Sequence, residues 1–207
     1  MKNFIALIIS TLLVLLLLFG YSTSVSSDLS QNIVRLHVIA NSDSDEDQAL
    51  KLKVRDAILA HSKSDFTQKS DVCENLDTYK EIAEEIIREN GYSYSAEVEY
   101  GNFKFPTKRY ENIALPAGQY DAVRIKIGSA EGKNWWCVMF PPLCFVDGTT
   151  DTAYAEEKLG KLIDKESYDI ITSCQSGNFP FEIKFKIVEL FGKLGGKNKV
   201  YQSARKD

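Results

Sequence analysis

The order of the first structural elements follows from the stretch "IVRLHVIANSDSDEDQ", Ile33–Gln48. Its first half is rich in β-branched residues and alternates as a strand does, because successive side chains of a strand point to opposite faces. One face would carry Val34, Leu36, Val38 and Ala40, and the other Ile33, Arg35, His37 and Ile39. The acidic run ends the strand, and Asp45 followed three residues later by Gln48 resembles a capping box. The stretch therefore predicts a strand followed by a helix.

Two amphipathic helices are predicted after this strand. The first runs from about Glu46 to His61, and the second begins near Leu76 and stops at Asn90-Gly91. Their predicted buried residues are Leu50, Val54, Ala57 and Ile58 in the first, and Leu76, Tyr79, Ala83, Ile86 and Ile87 in the second. A polar stretch, residues 62–70, separates the two helices.

Further strands follow the helices. "YSYSAEVEY" alternates without a fault from Tyr92 to Tyr100, "YDAVRIKIG" places aliphatic residues at every second position, and "WWCVMF" adds another strand. The inward positions of the second run are Val123, Ile125 and Ile127. The order β-α-α-β-β-β predicts a single α+β domain with a mixed or antiparallel sheet.

The C-terminal part is predicted to add helical elements. "AYAEEKLGKLI" has a helical pattern, whereas "FPFEIKFKIVELFGKL" fits a strand in its first half and a helix in its second. We expect a strand that turns into a helix there. The globular domain would thus cover residues 28–194, and residues 195–207 would form a loose, polar and basic tail.

The first 27 residues have the pattern of a membrane-targeting segment. Lys2 precedes the apolar run Phe4–Phe19, and small residues follow. At ~1.5 Å per residue the run is ~24 Å long, short of a hydrocarbon core of ~30 Å. The segment is either a cleaved signal, with Ser22 and Ser24 at the −3 and −1 positions, or an uncleaved anchor. Both alternatives export everything after Asp28.

Charge and cysteine content limit the possible functions. Without Lys2, the 25 basic residues become 24 against 29 acidic ones, a net charge of −5. Such a domain has no basic field for a polyanion, so we expect no nucleic-acid partner. Four cysteines in an exported domain are expected to be paired, with three possible connectivities. They are Cys73, Cys137, Cys144 and Cys174.

Motifs for metals, nucleotides and nucleophiles are incomplete. An EF-hand loop starting at Asp43 would need Gly and Glu where the chain has Gln48 and Val54. "GSAEGKN" and "GKLGGKN" are one residue too short for phosphate loops and lack the final Ser or Thr. We therefore expect no metal, no cofactor and no small-molecule substrate. A Cys137–His37 dyad would be the enzymatic alternative, but we expect a packed histidine and an oxidised thiol.

The stretch "NWWCVMFPPLC", residues 134–144, suggests a disulfide. If extended, its two cysteines would lie ~23 Å apart, whereas a disulfide needs Cα atoms within ~7 Å. The chain must therefore reverse between them, and Pro141-Pro142 lies where the reversal belongs. We hypothesise a Cys137–Cys144 disulfide, with Cys73 and Cys174 either paired or buried.

The adjacent residues Trp135 and Trp136 point to opposite faces of the predicted strand. Only one of them can enter a one-sided core. The other must be covered, for which a C-terminal helix is the expected element, or it stays exposed as an interface residue.

Two long runs resemble the stage II sporulation protein R family of endospore-forming bacteria. They are "RLHVIANSDSDEDQALKLKVRDAIL", Arg35–Leu59, and "NWWCVMFPPLCFVDG", Asn134–Gly148. Their order and spacing behind an export signal support the resemblance, and "ESYDIITSC" and "FEIKFKIVELFGKL" are also similar to the family. The polar stretch near residues 62–73 and the last dozen residues show no such similarity.

The resemblance implies a messenger that is made in the forespore and crosses into the space between the two cells. There it would activate, by binding, a membrane-embedded aspartic protease of the mother cell, which processes the precursor of sigma factor E. The partner-binding candidates are His37, Asn41, Ser42, Asp43, Trp135, Trp136, Pro141, Pro142 and Phe145. The alternatives are an exported envelope hydrolase and a passive envelope-binding module.

Overall fold

The fold is taken from a computed structural model that describes residues 1–62, 68–110, 112–143, 152–173, 179–193 and 197–205, with the backbone alone at 152–155, 173 and 179–182. The described helices are α1 Lys2–Asn32, α2 Asp45–Ser62, α3 Lys69–Glu74, α4 Leu76–Glu89, α5 Thr152–Leu162, α6 Lys165–Ser173 and α7 Phe179–Lys193. The described strands are β1 Val34–Ile39, β2 Ala96–Phe105, β3 Lys108–Tyr110, β4 Ile113–Leu115, β5 Gly118–Ile127, β6 Asn134–Phe140 and β7 Lys199–Ser203.

The main sheet has five strands in the order β6-β1-β5-β2-β7. β1 and β5 run parallel, while β6 on β1, β2 on β5 and β7 on β2 are antiparallel. The sheet is therefore mixed, and the predicted α+β class is confirmed. β3 and β4 form a separate two-stranded sheet.

Helices cover both faces of the main sheet, which gives the domain two hydrophobic cores. The first core lies between the sheet and α2, α3 and α4, and the second joins the other face to α1, α6 and α7. β1 is buried on both faces, because Leu36 and Val38 enter the first core while Arg35 and His37 are buried on the second side. The alternating side chains of β1 therefore enter two different cores, and neither face of the strand is exposed to solvent.

β2 changes the face that it buries along its length. Ala96, Val98 and Tyr100 enter the first core, as the alternation predicted, whereas Phe103 and Phe105 enter the second. The strand begins at Ala96 and runs five residues beyond the predicted end at Tyr100. The second half of β2 therefore carries Phe105 to the side of the sheet on which His37 lies.

The two predicted amphipathic helices are present as α2 and α4. Gly91, with a φ of 82°, follows the end of α4 and adopts the left-handed conformation that glycine tolerates. Ala57 and Ile86 are half-buried, and the other predicted buried positions of both helices are buried. The short helix α3 lies between α2 and α4 and was not predicted.

The prediction of a strand at the start of "FPFEIKFKIVELFGKL" is wrong, because α7 is helical from Phe179 to Lys193. Phe185 and Val188, three residues apart, are fully buried, while Ile183 is 45% exposed. Burial thus follows the helical period, and packing on α1 and β5 selects the helix over the strand. α6 was not specifically predicted either.

The C-terminal tail was predicted to be loose, but residues Lys199–Ser203 pair with β2 as the edge strand β7. A Cβ atom on Gly101 would overlap the carbonyl oxygen of Lys199. The close approach of β7 thus depends on a glycine in the neighbouring strand. The composition of the C-terminal residues does not reveal this dependence.

α1 is one continuous helix that includes the whole targeting segment and continues to Asn32. It is long and apolar enough to cross a membrane. The residues before Gly20 are largely exposed, whereas Ser22, Val25 and Leu29 are buried. The C-terminal half of α1 is therefore part of the second core.

Candidate partner-binding surface

β1 and β6 bring the predicted site residues together. In their antiparallel register His37 is opposite Trp136, and Leu36 is opposite Cys137. Because side chains alternate along both strands, His37 and Trp136 share one face while Cys137 lies on the other, in the first core. The Cys137–His37 dyad is therefore not formed.

His37 is packed between aromatic rings and is only 6% exposed. Its imidazole stacks on Trp136 with ring centroids 3.6 Å apart, and its Nε2 lies 2.6 Å from Oδ1 of Asn134. Phe105 closes the cluster, with its ring centroid 4.7 Å from that of Trp136. Burial lowers the pKa of His37 to about 4. The positive charge of Arg124 lowers it too, whereas the hydrogen bond to Asn134 acts in the opposite direction. The ring is therefore neutral at physiological pH.

Arg35 is fully buried beside this cluster and was not predicted as a site residue. Its guanidinium lies 4.3 Å from the Phe105 ring centroid and 5.0 Å from that of Tyr120. Nε donates to the carbonyl oxygen of Cys137 at 3.4 Å, and Nη2 donates to the hydroxyl of Tyr110 at 3.3 Å. Arg35 thus links β1, β6 and β3 from inside the sheet. The sequence signal for its burial was a charged residue within an otherwise apolar strand pattern.

Trp135 lies on the opposite face from Trp136, as predicted, and neither is fully buried. The guanidinium carbon of Arg55 in α2 lies 4.2 Å from the Trp135 ring centroid. Trp136 packs on His37 and Phe105 and against the second core, and covering by a C-terminal helix, expected for one of the two tryptophans, stays a prediction. Each tryptophan therefore keeps an accessible portion at the same edge of the sheet.

A groove of about 330 Å³ runs along this edge. It is lined by Trp135 and Trp136 of β6 and by Lys108, Arg109 and Tyr110 of β3, so it takes in side chains from both faces of the sheet. β6 is the terminal strand of the sheet order. An edge strand presents backbone groups that can pair with another strand, and two basic side chains stand beside this one.

The corner between β1 and α2 is held by hydrogen bonds within the domain. Asp47 is 4% exposed and accepts hydrogen bonds from Asn41 Nδ2 at 2.8 Å and Ser42 Oγ at 2.6 Å. Burial opposes ionisation of Asp47, but these bonds prevail and lower its pKa. Asn41 Oδ1 accepts from the backbone N–H of Ser129 at 2.9 Å, and Asp43 Oδ1 accepts from that of Lys133 at 2.7 Å.

These bonds give the acidic stretch a structural role. They tie the start of α2 to the turn between β5 and β6, which places Asn134 beside His37. The corner and β6 are thus adjacent in space, as the hypothesis of a shared surface requires. Asn41 and Ser42 are nevertheless half-buried and occupied by internal bonds, and only Asp43 is exposed. The corner therefore holds the β6 surface in place but adds little accessible area to it.

The remaining predicted site residues follow β6. Pro141 is buried and Pro142 half-buried in a turn, while Cys144, Phe145 and Cys174 lie outside the described residues. Cys73 is a free, half-buried thiol, so the expectation that all four cysteines are paired is wrong for Cys73, which is neither paired nor fully buried. Cys137 has a bonded partner outside the described residues, and the Cys137–Cys144 pairing stays a prediction.

The described part of the chain shows no metal centre, since no group of three or more His, Cys, Asp and Glu side chains is placed to hold an ion there. The candidate residues form an aromatic and basic edge around β6. Such an arrangement can bind a polypeptide segment through backbone pairing and aromatic contacts.

Fold and surface together define a single mixed α+β domain that follows an apolar N-terminal helix. A family model described as stage II sporulation protein R matches residues 30–150. The chain belongs to the stage II sporulation protein R family, and this membership supports a role in sporulation.

A named relative gives the same result. "Stage II sporulation protein R" of Bacillus subtilis (strain 168) is 40% identical over 141 residues, which cover 65% of this chain and 61% of that protein. The match thus spans less than two thirds of the relative's length. No solved structure matches the chain.

Proposed function

We propose that this protein is an exported sporulation signal that activates, by binding, a membrane-embedded aspartic protease of the mother cell. The protease would then process the precursor of sigma factor E. The observation that carries the proposal is family membership across residues 30–150. The apolar α1 is compatible with export, because it has the length and composition of a signal or an anchor.

We infer that the partner binds at the edge formed by β6 and β3. Trp135 and Trp136 supply partly exposed aromatic surface there, and Lys108 and Arg109 supply positive charge. An extended segment with apolar and acidic side chains would match this edge, since it could pair with β6 and contact both tryptophans. Binding would activate the protease only if the protease's active conformation binds this edge more tightly than the inactive one.

A geometric observation disfavours the hydrolase alternative. The thiol and imidazole that could have formed a nucleophile–base pair lie on opposite faces of the sheet. The neutral, buried His37 is held by Asn134 and Trp136, and it serves the packing of the edge. A passive envelope-binding module has no specific observation in its favour.

The proposal is tested by co-expressing the full chain with the candidate protease and the sigma precursor, then following precursor cleavage. We expect cleavage with the natural chain, and Trp136→Ala to reduce it roughly 30-fold, the effect of losing ~2 kcal/mol at a binding hot spot. Because Trp136→Ala also removes the ring that stacks on His37, export and accumulation of the variant are measured together with cleavage.

Two control variants separate lost contact from lost folding. Trp136→Phe keeps an aromatic ring on His37 and should retain most of the activity. Tyr201→Ala removes a 55% exposed ring from β7, at the opposite edge of the sheet, and should behave as the natural chain. Absence of cleavage with the natural chain would count against activation, whereas normal cleavage with Trp136→Ala would count against this surface alone.

We also propose that Cys137 and Cys144 form the disulfide that closes the turn after β6. The turn at residues 141–142 supplies the reversal that such a bond needs. Mass spectrometry of the unreduced, denatured protein should find Cys73 alkylated, and should find Cys137 and Cys144 unalkylated and joined within one peptide. An alkylated Cys137, or a link from it to Cys174, would contradict the pairing.

A further inference from the structure

α7 carries exposed apolar side chains beside α1. Outside α1, the large hydrophobic residues found exposed in the described part of the chain are Ile183, Leu190, Val200 and Tyr201. Ile183 and Leu190 lie seven residues apart on α7, which places them on one face two turns apart. Leu190, at 61%, is as exposed as the residues of the apolar half of α1.

The outward face of α7 alternates apolar and basic side chains. Positions 183, 186, 190 and 193 follow the i, i+3, i+7, i+10 spacing of one helix face and hold Ile183, Lys186, Leu190 and Lys193. The side chains of Lys186 and Lys193 are 61% and 60% exposed, and both pair with Glu189, which is only 12% exposed. The opposite face, with Phe185 and Val188, is buried in the second core. The outward face of α7 thus exposes two apolar side chains beside two lysine stems, and a membrane interface can accommodate both kinds of side chain.

α7 meets α1 where the apolar run of α1 ends. Phe191 packs against Phe19, the last residue of that run, with ring centroids 5.6 Å apart. Further back along α7, the Lys184 amine lies 5.9 Å from the Tyr21 ring centroid. Along α7, Phe191 and Lys184 are ~10 Å apart, whereas their partners on α1 are only ~3 Å apart. The two helices therefore cross at an angle. The face of α7 that bears Leu190 therefore lies near the level at which the apolar half of α1 ends.

The second half of α1 is built into the fold. Val25 and Leu29 are 3% and 0% exposed in the second core, and Ser22 is 1% exposed. Asp28 accepts a hydrogen bond from the backbone N–H of Asp164 at 3.0 Å. The predicted cleavage positions thus lie in a helix that packs on the domain, whereas the apolar half of α1 before them is exposed.

From this arrangement we propose that α1 is retained as an anchor and that the exported domain lies against the lipid bilayer through the Ile183–Lys193 face of α7. The bilayer is the occupant because that face adjoins the end of a membrane-length apolar helix. Ile183 and Leu190 would enter the acyl boundary, with the stems of Lys186 and Lys193 on the apolar surface. The two ammonium groups share Glu189, so together the three side chains would present one net positive charge to anionic head groups. Tyr21 would stand at the interface, where tyrosine is enriched.

Site-specific photo-crosslinking in the full-length chain tests this contact. Leu190→p-benzoylphenylalanine is compared with Glu85→p-benzoylphenylalanine, an exposed position of α4 on the opposite side of the sheet. The chains are reconstituted in vesicles of phosphatidylethanolamine and phosphatidylglycerol, irradiated and analysed by mass spectrometry. We expect lipid adducts at position 190 at least ten times as often as at position 85. The same probe at position 183 should repeat the result.

Three outcomes would overturn the proposal. They are lipid adducts at position 190 as rare as at position 85, adducts to a second copy of the chain in their place, and a mature protein in sporulating cells that begins after Ser24. None of these outcomes bears on activation of the protease, which is measured by precursor cleavage.

Discussion

Arg35 and His37 are polar residues buried in the middle of a sheet, and the described residues provide no carboxylate partner for either. Their stabilisation comes from aromatic rings: Arg35 lies over Phe105, and His37 stacks on Trp136. A neutral imidazole and a guanidinium on a ring face are the forms that such an environment tolerates. These residues therefore anchor the edge surface without being accessible to a partner.

The pKa of His37 makes stability dependent on pH. Its folded pKa is about 4 against an ordinary 6.5, because of burial and the charges of Arg124, Arg35 and Lys126, and despite Asn134. Between these values the unfolded chain binds more protons, so the free energy of unfolding should fall as pH drops from about 6.5 to about 4. The loss should approach ~3 kcal/mol.

Urea unfolding at about pH 7.5 and about pH 4.5 measures this effect, with His37→Gln as the control. The variant lacks the titrating ring, so its free energy of unfolding should change less between the two pH values. Equal changes in both proteins would show that His37 is not the responsible group.

At the scale of elements, the β5–β6 turn and the β1–α2 corner behave as one unit. Gly132 donates its backbone N–H to the Ala40 carbonyl oxygen at 3.0 Å, and a Cβ atom there would overlap the carbonyl oxygen of Ser42. The hydrogen bonds between the β1–α2 corner and the β5–β6 turn therefore fix the position of β6.

Gly132→Ala should lower the free energy of unfolding by ~2 kcal/mol, the usual cost of overpacking a tight contact. Gly20→Ala is the matched control, because a Cβ at Gly20 meets no atom within 4 Å. Both changes are read from chemical unfolding in detergent. If Gly132→Ala were as stable as the natural chain, the backbone around Ser42 would have moved to accept the added Cβ atom without cost.

At the scale of the whole molecule, α1 belongs to two environments. Its first half is exposed and apolar, while its second half fills the second core through Val25 and Leu29. The targeting segment and the globular domain, predicted as separate regions with a boundary at residue 27, are joined by an unbroken helix.

Leu29→Ala should destabilise the detergent-solubilised protein by ~3 kcal/mol, because Leu29 is fully buried and the change leaves a cavity. Leu17→Ala makes the same chemical change at a residue that is 66% exposed and should have little effect. Thermal unfolding followed by circular dichroism compares the two. Similar melting temperatures would show that α1 is not part of the cooperative fold.

Alternation and helical periodicity were sufficient to predict β1, α2, α4, β5 and β6 and the α+β class, because each buries a regular stripe of its own residues. The residue pattern also predicted that the two tryptophans would point to opposite faces. Tertiary structure decided the conformation of α7, where packing of Phe185 and Val188 selected one of two compatible periods. It also decided the pairing of β7, which depends on Gly101 in a distant strand. The burial of Arg35 and the groove beside β6 arise from the register between strands far apart in the chain, so no local pattern could specify them.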